Sequence, residues 1–168
     1  MLISIIMPYF RKKKYVKHSV KSILNQTYKN FELLIIYDDY DLDDLELINN
    51  IKSLDKRIKV IINKTNQGAG YSRNIGINHS RGSYIAFIDS DDIWKKDKLL
   101  KQIKFMKKNS SKISHTSYEI IDNNGKITGK RKANLISFKK IIKSCDVGLS
   151  SVILKKNLLS KITKFPNL

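Results

Sequence analysis

Three carboxylates close an apolar run in residues 84–94, Tyr-Ile-Ala-Phe-Ile-Asp-Ser-Asp-Asp-Ile-Trp. Asp89 and Asp91 lie two apart, with Ser90 between them and Asp92 directly behind. Carboxylates so spaced can converge on one hard divalent cation, and such a cation also takes the phosphate oxygens of a substrate. Metal-assisted chemistry on a phosphate-bearing donor is therefore one reading. Helix capping is the other, because Asp and Ser side chains accept from the free N–H groups of a first turn, with Asp92 placed to cap a helix starting near Trp94. The segment by itself leaves both open.

Three more segments carry polar or aromatic groups where apolar runs end. Pro8-Tyr9-Phe10 follows the first run. Pro8 fixes the backbone, and Tyr9 either stacks on a flat base or packs the sheet end. Asp38-Asp39-Tyr40-Asp41 follows the second, with Asp43-Asp44 behind. A carboxylate there can accept from a base N–H or a ribose hydroxyl, or cap the helix that begins near Leu42. Residues 65–76, Thr-Asn-Gln-Gly-Ala-Gly-Tyr-Ser-Arg-Asn-Ile-Gly, let backbone approach a ligand at Gly68 and Gly70 and put Arg73 one turn into a helix, within reach of a diphosphate. The spacing is neither the dinucleotide Gly-x-Gly-x-x-Gly nor a P-loop.

Alternating elements must position these groups. Apolar runs of strand type are expected at Leu2 to Met7, Phe31 to Tyr37, Ile58 to Ile62 and Tyr84 to Ile88. Between them, Tyr15 to Leu24, Leu42 to Leu54 and Gly68 to Ser80 show helical spacing. Continuous apolar strands separated by helices predict an α/β fold with a mostly parallel sheet covered on both faces, whose ligands bind beyond the strand C-termini. The loaded segments should therefore gather on one rim. Further on, the pattern predicts an amphipathic helix from Leu99 to Met106 and a strand from Ile113 to Ile121. A turn at Asp122–Gly125, a strand over Lys126–Gly129, a short helix near Phe138–Ile142 and a strand over Ser150–Leu154 follow.

The bulk composition fits one domain: 168 residues, 41% hydrophobic and 29% charged, with a real core. The net charge of +18 favours an anionic partner, such as a nucleotide, a nucleic acid or a membrane face. The lysines are spread along the whole chain, however, as the codon bias of an AT-rich genome would also spread them, and no nucleic-acid-binding signature appears. The single cysteine, Cys145, cannot form an intrachain disulfide; it reads as a small buried residue in a reducing compartment. The apolar N-terminus has the look of a strand rather than a signal peptide, and no apolar run approaches the ~20 residues of a membrane span.

The order of these segments closely resembles the family 2 inverting glycosyltransferases of the GT-A fold. The match is specific from Ile3 to about Trp94 and weaker to about Leu159, through Ser114–Tyr118 and Gly148–Val152. The resemblance implies a single Rossmann-like GT-A sandwich over residues 1–168, with a nucleotide-sugar-binding half at 1–94 and the start of an acceptor half at 95–168. It implies transfer of a sugar from a nucleotide-diphosphate sugar, UDP-linked in the commonest case, to a glycan or lipid-linked acceptor. Pro8 and Tyr9 would line the base pocket and Asp39 would read the base. Arg73 would flank the diphosphate, Asp89 and Ser90 would contact the donor, and Asp91 with Asp89 would hold Mg²⁺ or Mn²⁺. A cytoplasmic site at the inner face of the membrane, with peripheral contact and no nucleic acid, is the expected setting.

Two departures stand out. Family members commonly continue Asp-Asp with Gly-Ser-Thr-Asp, where this chain has Tyr40-Asp41-Leu42-Asp43. The family's general base is an Asp beyond the segment matched by Ser150 to Leu159, and this chain has no acid after Asp146. The expectation is a chain truncated before its catalytic base. The alternatives are a nucleotide-sugar-binding module without transfer and, less favoured, a basic nucleic-acid-binding domain.

Overall fold

The protein is seen in a computed structural model that describes residues 1–134, 147–161 and 165–166. The helix expected near Phe138–Ile142 and the buried Cys145 lie outside the described residues.

Strands β1 (Ile3–Tyr9), β2 (Phe31–Tyr37), β3 (Ile58–Ile62) and β4 (Tyr84–Phe87) alternate with helices α1 (Lys13–Leu24), α2 (Leu42–Lys52) and α3 (Gly68–His79). α4 (Lys98–Lys108), β5 (Ile113–Ser114), β6 (Tyr118–Ile121), β7 (Ile127–Arg131) and β8 (Ile153–Lys155) follow. The main sheet has the order β3-β2-β1-β4-β8-β5. β1 pairs in parallel with both β2 and β4, and β2 with β3, whereas β8 joins antiparallel to β4 and to β5. This is the α/β sandwich with a mostly parallel sheet that the alternation of apolar runs and amphipathic segments predicts.

Every residue of β1 and β2 is buried, because helices cover both faces. On one face Ile3, Ile5 and Met7 pack with Val16, Val20 and Ile23 of α1, Ile48 and Ile51 of α2, and Leu99, Ile103 and Met106 of α4. On the other, Ile6, Leu34, Ile36, Ile85 and Phe87 pack with Ile75 and Ile77 of α3 and with Leu158, Leu159 and Phe165. α3 lies close to β1 because Gly76 has no side chain: a Cβ there would stand 2.5 Å from the Ile6 side chain.

Three local expectations change. The strand expected over Ile113 to Ile121 splits into β5 and β6, since β5 pairs with β8 while β6 turns away to form a separate hairpin with β7. Its turn is as expected, with Gly125 at φ 80° and the Asp122 carboxylate accepting from the N–H groups of Asn124 and Lys126. Residues Leu149–Ser151 form a 3₁₀ turn, so the last strand begins at Ile153. Asp92 caps no helix, because α4 begins only at Lys98. Residues 90–96 instead run alongside α1: Ser19 Oγ donates to the Ser90 carbonyl and the Trp94 N–H to Ser22 Oγ, and the Gln26 amide donates to the Lys95 carbonyl.

Candidate active site

The parallel register brings the strand C-termini to one rim. Tyr9 faces Tyr37 across β1 and β2, the Asp38 N–H donates to the Tyr9 carbonyl, and the Asn63 N–H donates to the Tyr37 carbonyl. β4 ends beside Ile6, and Asp89 to Asp92 follow within one turn, where the Asp92 N–H donates to the Asp89 carbonyl.

At the β4 corner, the Arg73 guanidinium donates to Asp89 Oδ1 at 2.7 Å. Arg73 is mostly enclosed and Asp89 about half exposed. Among the described residues the buried Arg73 Nε has no hydrogen-bond partner, a donor left over in a site otherwise well satisfied. The Asp91 carboxylate accepts from the Lys12 ammonium at 2.8 Å, and this pair is partly open to solvent. The carboxylate raises the Lys12 pKa through that hydrogen bond and its charge. Asp92 keeps solvent access, yet the protein crowded around its carboxylate, with the charges of Asp89 and Asp91, raises its pKa against a hydrogen bond with Ser150.

Ser150, to which the sequence assigns no role, ties this corner together. Its Oγ accepts from the Asp89 N–H at 3.0 Å, and its carbonyl accepts from the Trp94 indole N–H at 2.8 Å. Its signals in the chain are the likeness of Gly148–Val152 to the family's later segments and the polar Ser-Ser pair interrupting an apolar run. Lys98 is a second unforeseen residue. It is buried, with its ammonium 4.0 Å above the Trp94 ring, donating to Gln102 Oε1. Burial pulls it down to about 7.

At the β1–β2 corner, Asp39 is buried and accepts from the N–H groups of Arg11 and Tyr40, at 3.1 and 2.8 Å. Asp38 accepts from the Asn63 amide and the Gln67 N–H, so it fastens the loop before α3 to the sheet. The capping expected of this acidic run falls to Asp41, whose carboxylate accepts from the Asp44 N–H.

The expectation for Tyr9 needs correction. Its ring is enclosed, stacked on Tyr37 at 5.5 Å, and offers no face to a base. A buried hydroxyl needs a partner, and Asp44 supplies it at 2.6 Å. Burial, then that carboxylate, raises the Tyr9 pKa far beyond its ordinary value. Pro8 is likewise buried in β1, and Ser90 is buried beneath the rim. The exposed aromatic rings beside Asp39 are Phe10 and Tyr40, with the Arg11 guanidinium 5.0 and 5.5 Å from their centroids.

Residues 4–160 match the profile of glycosyl transferase family 2. The chain belongs to that family. It is 40% identical to the Escherichia coli UDP-Glc:alpha-D-GlcNAc-diphosphoundecaprenol beta-1,3-glucosyltransferase WfgD, over 98% of this chain and 64% of that protein. Its fold is that of S. aureus TarS residues 1–349, with a TM-score of 0.77 at 22% identity, covering 96% of this chain and 49% of that one. It also superposes on a mannosyltransferase from Pyrobaculum calidifontis, solved in complex with GDP-Man and Mn²⁺, with a TM-score of 0.74 at 12% identity over 98% and 47% of the two chains. The chain thus spans less than two thirds of each of these relatives.

Proposed function

We propose that this family 2 chain binds a nucleotide-diphosphate sugar, UDP-linked, and serves its inverting transfer to a lipid-linked or glycan acceptor. One observation carries the reading: just beyond β4, Asp89 accepts from Arg73 at 2.7 Å and Asp91, two residues on, pairs with Lys12 at 2.8 Å. The UDP donor and lipid-linked acceptor named for the E. coli relative support the choice of partners.

The rim fits a divalent cation of one kind. Among the described residues no group of three or more His, Cys, Asp or Glu side chains could hold a metal. Two carboxylates remain, and Asp91 already holds a cationic group, Lys12. That set suits Mg²⁺ or Mn²⁺ that keeps waters and takes diphosphate oxygens, rather than a closed structural site. Asp91 and Asp89 would hold it, and when bound it would stabilise the negative charge that grows on the departing nucleoside diphosphate.

The protein's own residues do the rest. Arg73, anchored by Asp89, presents its guanidinium to the diphosphate. Asp39 uses two of its roughly four acceptor sites on backbone and has others for a base N–H. Buried Pro8, Tyr9 and Ser90 set the rim backbone. In the transfer itself, the acceptor oxygen bonds to the anomeric carbon from the face opposite the diphosphate, the carbon–oxygen bond to phosphate breaks, and the acceptor proton passes to a base not assigned to any residue of this sequence. Among the described residues no helix is long and apolar enough to cross a membrane; these residues would meet a membrane-borne acceptor by peripheral contact.

Calorimetry of UDP with and without Mn²⁺ tests the reading. The chain should bind UDP only weakly without the metal, and Asp91→Ala should abolish the gain that Mn²⁺ brings. Equal affinity of the two proteins in Mn²⁺ would remove Asp91 from the site.

A further inference from the structure

The lysines are dispersed in sequence, but the fold does not leave them dispersed. α1 and α4 cover the same face of the sheet and touch at their junction, where the Leu99 N–H donates to Gln26 Oε1 and the Thr27 N–H to the Lys96 carbonyl. The two helices together hold nine lysines and no acid. Neighbouring α2 carries Asp43, Asp44 and Glu46.

Burial sorts the α4 side chains into two stripes. Leu99, Gln102, Ile103 and Met106 point inward, while Lys101, Lys104, Phe105 and Lys108 point outward at the same spacing. Lys13 and Lys101 are paired with Asp44 and Asp97. Lys14, Lys17, Lys21, Lys104, Lys107 and Lys108 are exposed and have no carboxylate within ion-pairing distance among the described residues. Phe105, on the outward stripe of α4 with Lys101, Lys104 and Lys108, is 55% exposed.

The β6–β7 hairpin extends this face toward the rim. Tyr15 of α1 donates to Asn123 Oδ1 at the hairpin tip, and Lys95 pairs with Glu119 of β6. Ile121 and Ile127, cross-strand partners, are both nearly half exposed, with Lys126 beside them. Unpaired cations over a broad face, with isolated apolar side chains among them, are what an anionic lipid surface attracts and what a neutral or cationic partner would not.

We propose that the outer face of α1 and α4, with the β6–β7 hairpin, docks this protein on an anionic bilayer. Lysines would lie against the headgroups, with Phe105, Ile121 and Ile127 inserted between them. This names the surface for the peripheral contact proposed above and rests on that reading for its role, but the binding itself needs no nucleotide.

Cosedimentation of the full chain with vesicles tests it, comparing phosphatidylcholine alone with an equal mixture of phosphatidylcholine and phosphatidylglycerol. The chain should pellet only with the anionic vesicles, and less as salt rises. Each lysine near such a surface is worth about fivefold, so Lys17→Glu/Lys104→Glu/Lys108→Glu should weaken binding by about a hundredfold or more. Lys52→Glu/Lys56→Glu/Lys64→Glu changes net charge equally at the β3 edge and should cost far less. Ile121→Ser/Ile127→Ser should weaken binding severalfold without changing its salt dependence.

Equal losses from the two lysine triples would overturn the face, as would failure of wild type to prefer anionic vesicles. Tighter binding to a polyuridylate homopolymer than to vesicles, lost in the same triple, would reassign the face to nucleic acid and overturn the proposal too. Mn²⁺-dependent UDP binding, measured on each variant, should stay unchanged. Its retention alongside lost vesicle binding separates a failure of this surface from a failure of the donor site.

Discussion

Ser150 holds the backbone of Asp89 across 61 residues of chain: its Oγ accepts the Asp89 N–H at 3.0 Å, just ahead of β8. The same residue's carbonyl receives the Trp94 indole, so the acidic turn is clamped at both ends by one residue. Ser150→Ala removes the acceptor for a partly buried N–H, which costs about 1–2 kcal/mol of stability. Urea denaturation should show that loss. Calorimetry should show Mn²⁺-dependent UDP binding weakened severalfold, with binding of uridine alone unchanged.

Arg73 should discriminate between parts of the donor. Its guanidinium lies beside Asp89, and its buried Nε has no hydrogen-bond partner among the described residues. Arg73→Ala is expected to weaken UDP binding about tenfold or more, as loss of a charge-assisted contact does, and to leave uridine binding nearly unchanged. A uniform loss for both would assign Arg73 to folding rather than to phosphate.

Lys12 should compete with a divalent cation. Its ammonium sits 2.8 Å from Asp91 Oδ2, and both side chains are partly exposed. Lys12→Met leaves the carboxylate free and should tighten binding of Mn²⁺ alone by a few-fold, within the roughly 0.2–1 kcal/mol of an exposed pair. Titration of Mn²⁺ followed by electron paramagnetic resonance reads this without any turnover. Unchanged or weaker affinity would refute the competition.

Glu32 anchors the opposite end of the sheet. It is 2% exposed. Burial by itself would raise its pKa, but hydrogen bonds from Ser4 Oγ, the Arg81 N–H and guanidinium and the Lys59 ammonium hold it at about 2. The folded value lies below the ordinary 4.5, so the stabilisation is present above about pH 4.5 and lost as pH falls toward 2. Glu32→Gln should cost about 2–3 kcal/mol at neutral pH and flatten the acid limb of the stability profile, as measured by urea denaturation across that range.

Lys98 gives the opposite slope in another window. Its folded pKa is pulled by burial to about 7 from an ordinary 10.5. Below pH 7 both states carry the proton and the folded chain bears the desolvation penalty. As pH climbs from about 7 toward 9, the folded state releases its proton while the unfolded state keeps it, so stability rises by about 1 kcal/mol or more. Lys98→Met should abolish that rise in paired thermal melts, and an identical slope in both proteins would place the titration elsewhere.

The chain alone determined the architecture and the rim to which its polar segments come. Continuous apolar runs such as Leu33 to Tyr37 are satisfied by a strand covered on both faces. Polar groups that follow such runs must then collect at the strand ends, which is why Asp39, Arg73, Asp89 and Asp91 were legible as one rim. Tertiary structure decided what each side chain does there. Whether Tyr9 meets a base or the core depends on Asp44, 35 residues away, and Ser150 reaches Asp89 only because β8 inserts antiparallel beside β4. The basic face is of the same kind. Lysines scattered through α1 and α4 form one surface only when both helices pack on the same side of the sheet, and a one-dimensional pattern carries a residue's face but not its neighbours across the fold.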